Sequence, residues 1–244
     1  MYKLQKILQM MGIPRRKAAQ ITFDELVKVN GEVIKEPWFN VEDSDEIEYL
    51  NKKNLVSDII KKSSKKSYYL FHKPVGVLTT MKDSYGRKTI RDILDENNIT
   101  ETLFHVGRLD LNTSGIIMLT NDGELANKLM HPSHEITKTY KALIKGNITR
   151  EEIKQLESGI IIDDYKTRPA KIEKVIRKGS NHEITLTISE GKKRQIRRMF
   201  EALGHKVIKL KRTKFGPWSV SLVPYPGNIL KLNESEINKI KGSD

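Results

Sequence analysis

Cysteine is absent from the 244 residues, which excludes a disulfide, a thiolate nucleophile and any zinc site built on sulfur. Long apolar runs are also missing. None approaches the roughly 20 residues a membrane span requires, and the N-terminus lacks the charged-then-apolar plan of a signal peptide, so a cytoplasmic protein is expected. Neither a phosphate-binding loop of the G-x-x-x-x-G-K-[ST] kind nor a G-x-S-x-G elbow occurs, so nucleotide hydrolysis and serine-hydrolase chemistry have no site. The six histidines contain no H-E-x-x-H pair, and His105, His131 and His134 match no usual ligand spacing, so no metal is expected. Acid is the scarcer charge: 31 Asp and Glu oppose 44 Lys and Arg, leaving +13 and a sequence pI of about 9.6. Such an excess points to a polyanionic partner, nucleic acid first and an anionic membrane surface second.

The chain divides by composition. Leu4, Ile7, Leu8 and Met11 recur at helical spacing and Gly12 stops them; Pro14 opens a second helix whose first turn carries Arg15, Arg16 and Lys17. Cations there oppose the helix dipole, a cost that phosphate binding would explain. Val27-Lys28-Val29, then Asn30-Gly31, predict a hairpin, and Glu46 to Leu50 a closing strand. Residues 1–50 are thus expected to form a small unit of two helices and a sheet. The stretch 51–67, with two dilysine pairs around a serine pair, is expected to be an exposed linker containing at most a short helix near Val56 to Ile60.

A larger unit is expected over 68–234. Tyr68 to Phe71 predicts a buried strand running into a Lys73-Pro74-Val75-Gly76 turn, whose rim would carry Lys73 as a phosphate contact. Helices are expected at Thr89 to Leu94, at Glu124 to Met130 capped by Asp122, and at Arg150 to Glu157; strands are expected at Lys138 to Ile144, His182 to Ile188 and Val207 to Arg212. Ile196, Met199, Phe200 and Leu203 form the apolar stripe of a helix that Gly204 ends. A polar tail, 235–244, is expected to fray. Strands and helices mix without a regular βαβ alternation, which predicts an α+β fold with a mostly antiparallel sheet.

The most informative stretch is Val106 to Gly123, where Asp110 sits on a turn-prone loop directly ahead of the apolar run Ile116 to Leu119. A carboxylate on a loop braced by a buried strand is held firmly yet remains reachable. Taken alone it reads more readily as an Asp bonding its own loop backbone, as Asp in turns often does. Lys192, Lys193, Arg194, Arg197 and Arg198 place five cations within seven residues; they are either a solvated basic face or an anion site. Tyr140 is either a half-buried strand aromatic or a platform for a stacked base.

Together these motifs resemble the bacterial ribosomal-RNA pseudouridine synthases of the RsuA/RluB type, over nearly the whole chain. GRLDLNTSGIIMLTNDG is similar to the family's central signature, Lys73-Pro74-x-Gly76 to its first motif, Lys138-x-Tyr140 to its tyrosine motif, and EGKKRQIRRMFEALGH to its basic helix. Residues 1–50 resemble an S4 RNA-binding domain, although Glu25-Leu26 stands where that pattern has Gly-Arg and Pro14 where it has Ser. The resemblance implies conversion of uridine to pseudouridine without a cofactor. In it Asp110 would be the catalytic aspartate, Tyr140 the residue packing on an extruded base, and Arg197 the basic partner that keeps Asp110 ionised. Arg15, Arg16, Lys17, Lys28, Lys73, Arg108, Arg194 and Arg198 would bind RNA, with Arg108 bracing the position the base vacates. The partner implied is ribosomal RNA, large-subunit in preference to small-subunit, free or in a pre-ribosomal particle, bound by a monomer. A non-catalytic RNA-binding or ribosome-assembly protein is the rival expectation.

Overall fold

A computed structural model describes residues 1–241, which separate into two compact units, 1–66 and 67 onward. The first contains β1 (Tyr2–Lys3), α1 (Leu4–Met10), α2 (Arg15–Phe23), β2 (Val27–Val29), β3 (Glu32–Val33), β4 (Asn40–Val41), β5 (Glu46–Tyr49), β6 (Lys52–Leu55) and α3 (Val56–Ser64). β1 pairs with β4, and β3-β2-β5-β6 form an antiparallel sheet. Leu4, Ile7 and Leu8 of α1, Ala18 and Ile21 of α2, and Val27, Val29 and Ile47 of the sheet share one core.

Val56 and Ile59 of α3 belong to that core as well, so the stretch expected as an exposed linker is a strand and a helix of the first unit. The two residues are three apart and fall on one helix face, and their burial outweighs the polar composition around them. Glu25, where the S4 pattern has glycine, adopts φ +60° and pairs with Lys35 at 2.9 Å. The left-handed geometry is therefore present at a cost of about 1–2 kcal/mol that glycine would not incur.

The second unit runs β7 (Tyr68–Lys73), α4 (Ile90–Glu96), β8 (Phe104–Val106), β9 (Ser114–Thr120), α5 (Gly123–Met130), β10 (Lys138–Lys145), α6 (Arg150–Ser158), β11 (Ile161–Ile162), β12 (Tyr165–Lys166), β13 (Lys171–Lys178), β14 (Asn181–Ile188), α7 (Gln195–Ala202), β15 (Val207–Phe215), β16 (Trp218–Ser219), β17 (Ile229–Lys231) and α8 (Glu234–Lys241). Local chemistry sets the helix starts. Thr89 and Asp92 form a capping box on α4, Thr149 and Glu152 do the same on α6, and the Asp122 carboxylate accepts from the Glu124 and Leu125 amides at the head of α5. A helix also occupies the expected tail: Ile237 of α8 is buried, while 242–244 of that tail lie outside the described residues.

Nine strands form one sheet in the order β13-β14-β10-β15-β9-β7-β17, with β16 on β15 and β8 on β9. Every neighbouring pair is antiparallel except β9 and β15, which touch in parallel at only Ser114↔Lys211 and Gly115↔Arg212. The fold is α+β with a mostly antiparallel sheet. Tyr69, Phe71, Ile117 and Leu119 enter one core with residues of α4, α6 and α7; Tyr68, Leu70, Ile116 and Met118 enter another with residues of α5 and α8. β7 and β9 are buried on both faces, which is why they read as near-continuous apolar runs. The short parallel contact between β9 and β15 is the seam at which the site is built.

Candidate active site

β8 and β9 pair antiparallel, with Val106 opposite Met118, and the loop between them carries Asp110. The peptides on either side of Asp110 are fixed from three directions. The Thr79 hydroxyl donates to the Leu109 carbonyl at 2.6 Å and accepts from the Leu109 amide at 3.2 Å. Gly76, in the turn after β7, donates its amide to the Leu111 carbonyl at 2.9 Å, and Arg197 Nη2 donates to the Asn112 carbonyl at 2.7 Å. Buried Leu109 anchors the loop in the core beneath. The Asp110 carbonyl accepts from Thr113, whereas no hydrogen bond from the loop to the Asp110 carboxylate occurs among the described residues. The backbone is rigid and the carboxylate is free.

That carboxylate lines a cavity of about 560 Å³ together with Arg108, Lys138, Tyr140, Arg212 and Phe215. Tyr140 lies on β10 opposite Arg212 of β15, is 8% exposed, and offers with Phe215 two aromatic walls. Lys192, Lys193 and Arg194, all exposed, line the cavity on the loop that leads into α7. Arg194 takes φ +52° as it enters the helix, so the three cations sit at the bend.

The structure corrects one role implied by the resemblance and gives the contacts of a second residue. Lys73 is not a phosphate contact at the rim of its turn. It is fully buried, its Nζ donates to the Pro74 carbonyl at 2.8 Å and the Val77 carbonyl at 2.7 Å, and the turn closes over it. Burial pulls its pKa down to about 8, partly countered by the charge of Asp110. Arg197, in turn, forms no ion pair with Asp110 among the described residues. Its Nη1 donates to the Val207 carbonyl at 3.1 Å while Nη2 holds Asn112, so it grips the loop through the backbone. Burial and then Arg194 lower its pKa, and the nearby charge of Asp110 opposes them.

The five-cation cluster is divided by its fold. Arg194 stays at the cavity, Arg197 is tied to carbonyls, and Arg198 is paired with Asp163. In the first unit Arg15, Arg16 and Lys17 are exposed in an α2 first turn that holds no acid. Lys28 faces Glu48 at 3.5 Å across the strands, a half-exposed pair worth about 1 kcal/mol.

Sequence reasoning missed two residues. Thr79 lies in a loop with no pattern to mark it. Arg212 carried a signal: β15 buries Leu210, Arg212 and Phe215, so a charged residue occupies an inward position of a strand.

Comparison with known proteins places the chain among RNA-modifying enzymes. A family model described as RNA pseudouridylate synthase matches residues 67–202, and an S4 domain model matches residues 3–47. The chain is 41% identical to ribosomal large subunit pseudouridine synthase B of Bacillus subtilis (strain 168), across 99% of this chain and 96% of the relative. It is 34% identical to the protein of the same name from Pseudomonas aeruginosa, across 97% of this chain and 61% of that relative. Among solved structures, one described as a crystal structure of pseudouridylate synthase superposes with a TM-score of 0.67 at 30% identity, covering 98% of this chain and 99% of its own.

Proposed function

The chain belongs to the RNA pseudouridylate synthase family, an enzyme family that isomerises uridine to pseudouridine, and from that membership we propose that it modifies large-subunit ribosomal RNA with Asp110 as its catalytic carboxylate. The observation that carries the site reading is the Asp110 carboxylate itself: fixed by its backbone, without a hydrogen bond from its own loop, and lining a cavity walled by Tyr140 and Phe215. The reaction breaks the N-glycosidic bond, turns the base and rejoins it through carbon 5, so it needs a carboxylate at the sugar carbon and a slot that retains the base. A cavity of about 560 Å³ has room for one nucleotide.

A paired uridine must first be extruded, at a cost of a few kcal/mol that stacking partly offsets. Tyr140 is the ring we assign to that stacking. Tyr140→Phe keeps the ring and is expected to hold single-turnover rate within about tenfold of the parent. Tyr140→Ala loses a contact worth about 1–3 kcal/mol and falls further. Rapid-quench kinetics on one RNA compare them, and equal losses would assign the role to the hydroxyl.

Large-subunit RNA is favoured by two relatives whose names specify that subunit. Electrostatics favour RNA in general: the exposed Lys192, Lys193 and Arg194 flank the cavity, and Arg15, Arg16 and Lys17 cluster on the S4 unit. A monomer acting in the cytoplasm is the form we assign, and no helix among the described residues is long and apolar enough to cross a membrane. Mapping pseudouridines in ribosomal RNA from cells with and without the gene tests the assignment. One large-subunit site is expected to disappear on deletion; loss of a small-subunit site instead would redirect the substrate.

A further inference from the structure

We propose that Arg212 recognises the uracil ring, donating from its guanidinium to a ring carbonyl oxygen of the extruded base and holding the base while it is detached. The proposal rests on Asp110 being the catalytic carboxylate of this same cavity.

Arg212 stands at the seam of the sheet. Its register partners are Gly115 on β9, five positions after Asp110, and Tyr140 on β10, so it is flanked by the strand that the Asp110 loop enters and by the strand that carries Tyr140. It is 2% exposed and lines the cavity. Nε donates to the Ile116 carbonyl at 2.7 Å, and the guanidinium carbon lies 4.8 Å from the centre of the Phe215 ring. Nη2 is buried with no hydrogen-bond partner, and no carboxylate pairs with this guanidinium among the described residues. Arginine stays charged in proteins, and an uncompensated buried charge is among the costliest features a fold can carry. Nε fixes the orientation while Nη2 keeps a buried donor without a partner, the arrangement of a ligand contact.

The neighbouring cation sharpens the point. Lys138 shares the cavity, donates to the Ile136 carbonyl at 2.8 Å, and is pushed down to about 8, by burial first and by Arg212 second. A buried arginine beside a half-buried lysine favours a ligand that carries or develops negative charge, beyond what Glu190 supplies to Lys138. RNA phosphates meet the exposed Lys192, Lys193 and Arg194 first, whereas Arg212 is buried and shares the cavity lining with the Tyr140 and Phe215 rings, whose flat faces suit a base.

Uracil offers what the site requires. When the bond between the sugar carbon and N1 breaks, its electron pair leaves with the base, and the negative charge spreads over N1, O2 and O4. A guanidinium donor on O2 or O4 therefore binds more strongly as that charge develops than it does in the starting nucleotide. On rejoining, C5 supplies the pair for the new carbon–carbon bond, its proton leaves to solvent and N1 takes one up. No outside reagent enters.

The test uses a short synthetic RNA spanning the mapped uridine, with uridine, 2-thiouridine or 4-thiouridine at that position, since sulfur is the poorer acceptor. Wild type is expected to lose about tenfold or more in single-turnover rate at one of the two thio positions, and Arg212→Lys to lose ~10–100-fold on plain uridine with RNA affinity within about twofold. The thio penalty should vanish in the variant, because the contact it reports is already gone. Thio penalties absent from wild type, or equal in both proteins, overturn the proposal, as does an Arg212→Lys defect confined to RNA affinity. Should the variant fold poorly, irradiating the 4-thiouridine RNA with wild type decides instead: crosslinks are expected in the β15 peptide around Arg212 to Phe215, and their absence there counts against it. Failure of wild type on plain uridine would reject the catalytic reading itself, a separate result.

Discussion

Asp110→Asn is expected to reduce pseudouridine formation by at least about 10⁴-fold, the scale on which removal of one member of a catalytic set acts. Asparagine preserves shape and removes the charge. Because no hydrogen bond from the loop to the carboxylate occurs among the described residues, the substitution should strand no loop donor there. The backbone clamps from Thr79, Gly76 and Arg197 all grip neighbouring peptides and survive it. Melting temperature and RNA affinity should therefore stay close to the parent. The check is release of tritium from RNA labelled at C5 of uridine, the hydrogen that must leave when the base is rejoined. Turnover within tenfold of wild type would remove Asp110 from the mechanism.

Gly115→Ala is expected to be the most damaging single methyl in the catalytic unit. Gly115 has φ +122°, and a Cβ built there would lie 2.2 Å from the Arg212 carbonyl oxygen and 2.5 Å from its amide nitrogen. Both obstacles are backbone, so no rotamer relieves them, and β9 must move away from β15 at a contact only two residue pairs long. Strain and lost pairing together should cost about 3 kcal/mol or more, lowering the melting temperature of this unit by roughly 6–12 °C. Gly107→Ala is the internal control. It shares a positive φ of +71° but meets nothing within 4 Å, so it should cost only about 1–2 kcal/mol. Equal effects from the two would show that dihedral strain alone, not the close approach, accounts for Gly115. Activity should fall further than stability in Gly115→Ala, because Arg212 lies on one of the strands being forced apart and the Asp110 loop leads directly into the other.

Local order was legible where one pattern decides structure. The stripe Ile196, Met199 and Phe200 marked α7, the alternation from His182 to Ile188 marked β14, and Asp122 marked the head of α5. The stretch around Asp110 was legible because its loop, turn and buried strand follow in sequence. What a side chain touches at long range was not. Lys73 looks like any surface lysine until its turn folds back and supplies two carbonyls. Arg197 reads in the sequence as one more cation of a basic helix, yet the loop presents it with the Asn112 carbonyl. The charged stretch before Ser67 concealed Val56 and Ile59, which share a core with residues of α1 and α2 far upstream in the chain. β17 becomes a strand only because Tyr69, Leu70 and Phe71 lend it an edge.

The seam also dates the site within the life of the chain. Ser114 waits for Lys211, so roughly a hundred residues must close as a loop before β9 and β15 meet, a contact that forms late by the entropy of closure. Asp110 and Tyr140 leave the ribosome well before Arg212 and Phe215, and until those arrive one wall of the cavity does not exist. A half-made copy of this enzyme is therefore expected to be inactive. The parallel seam acts as a timer that joins competence to completion.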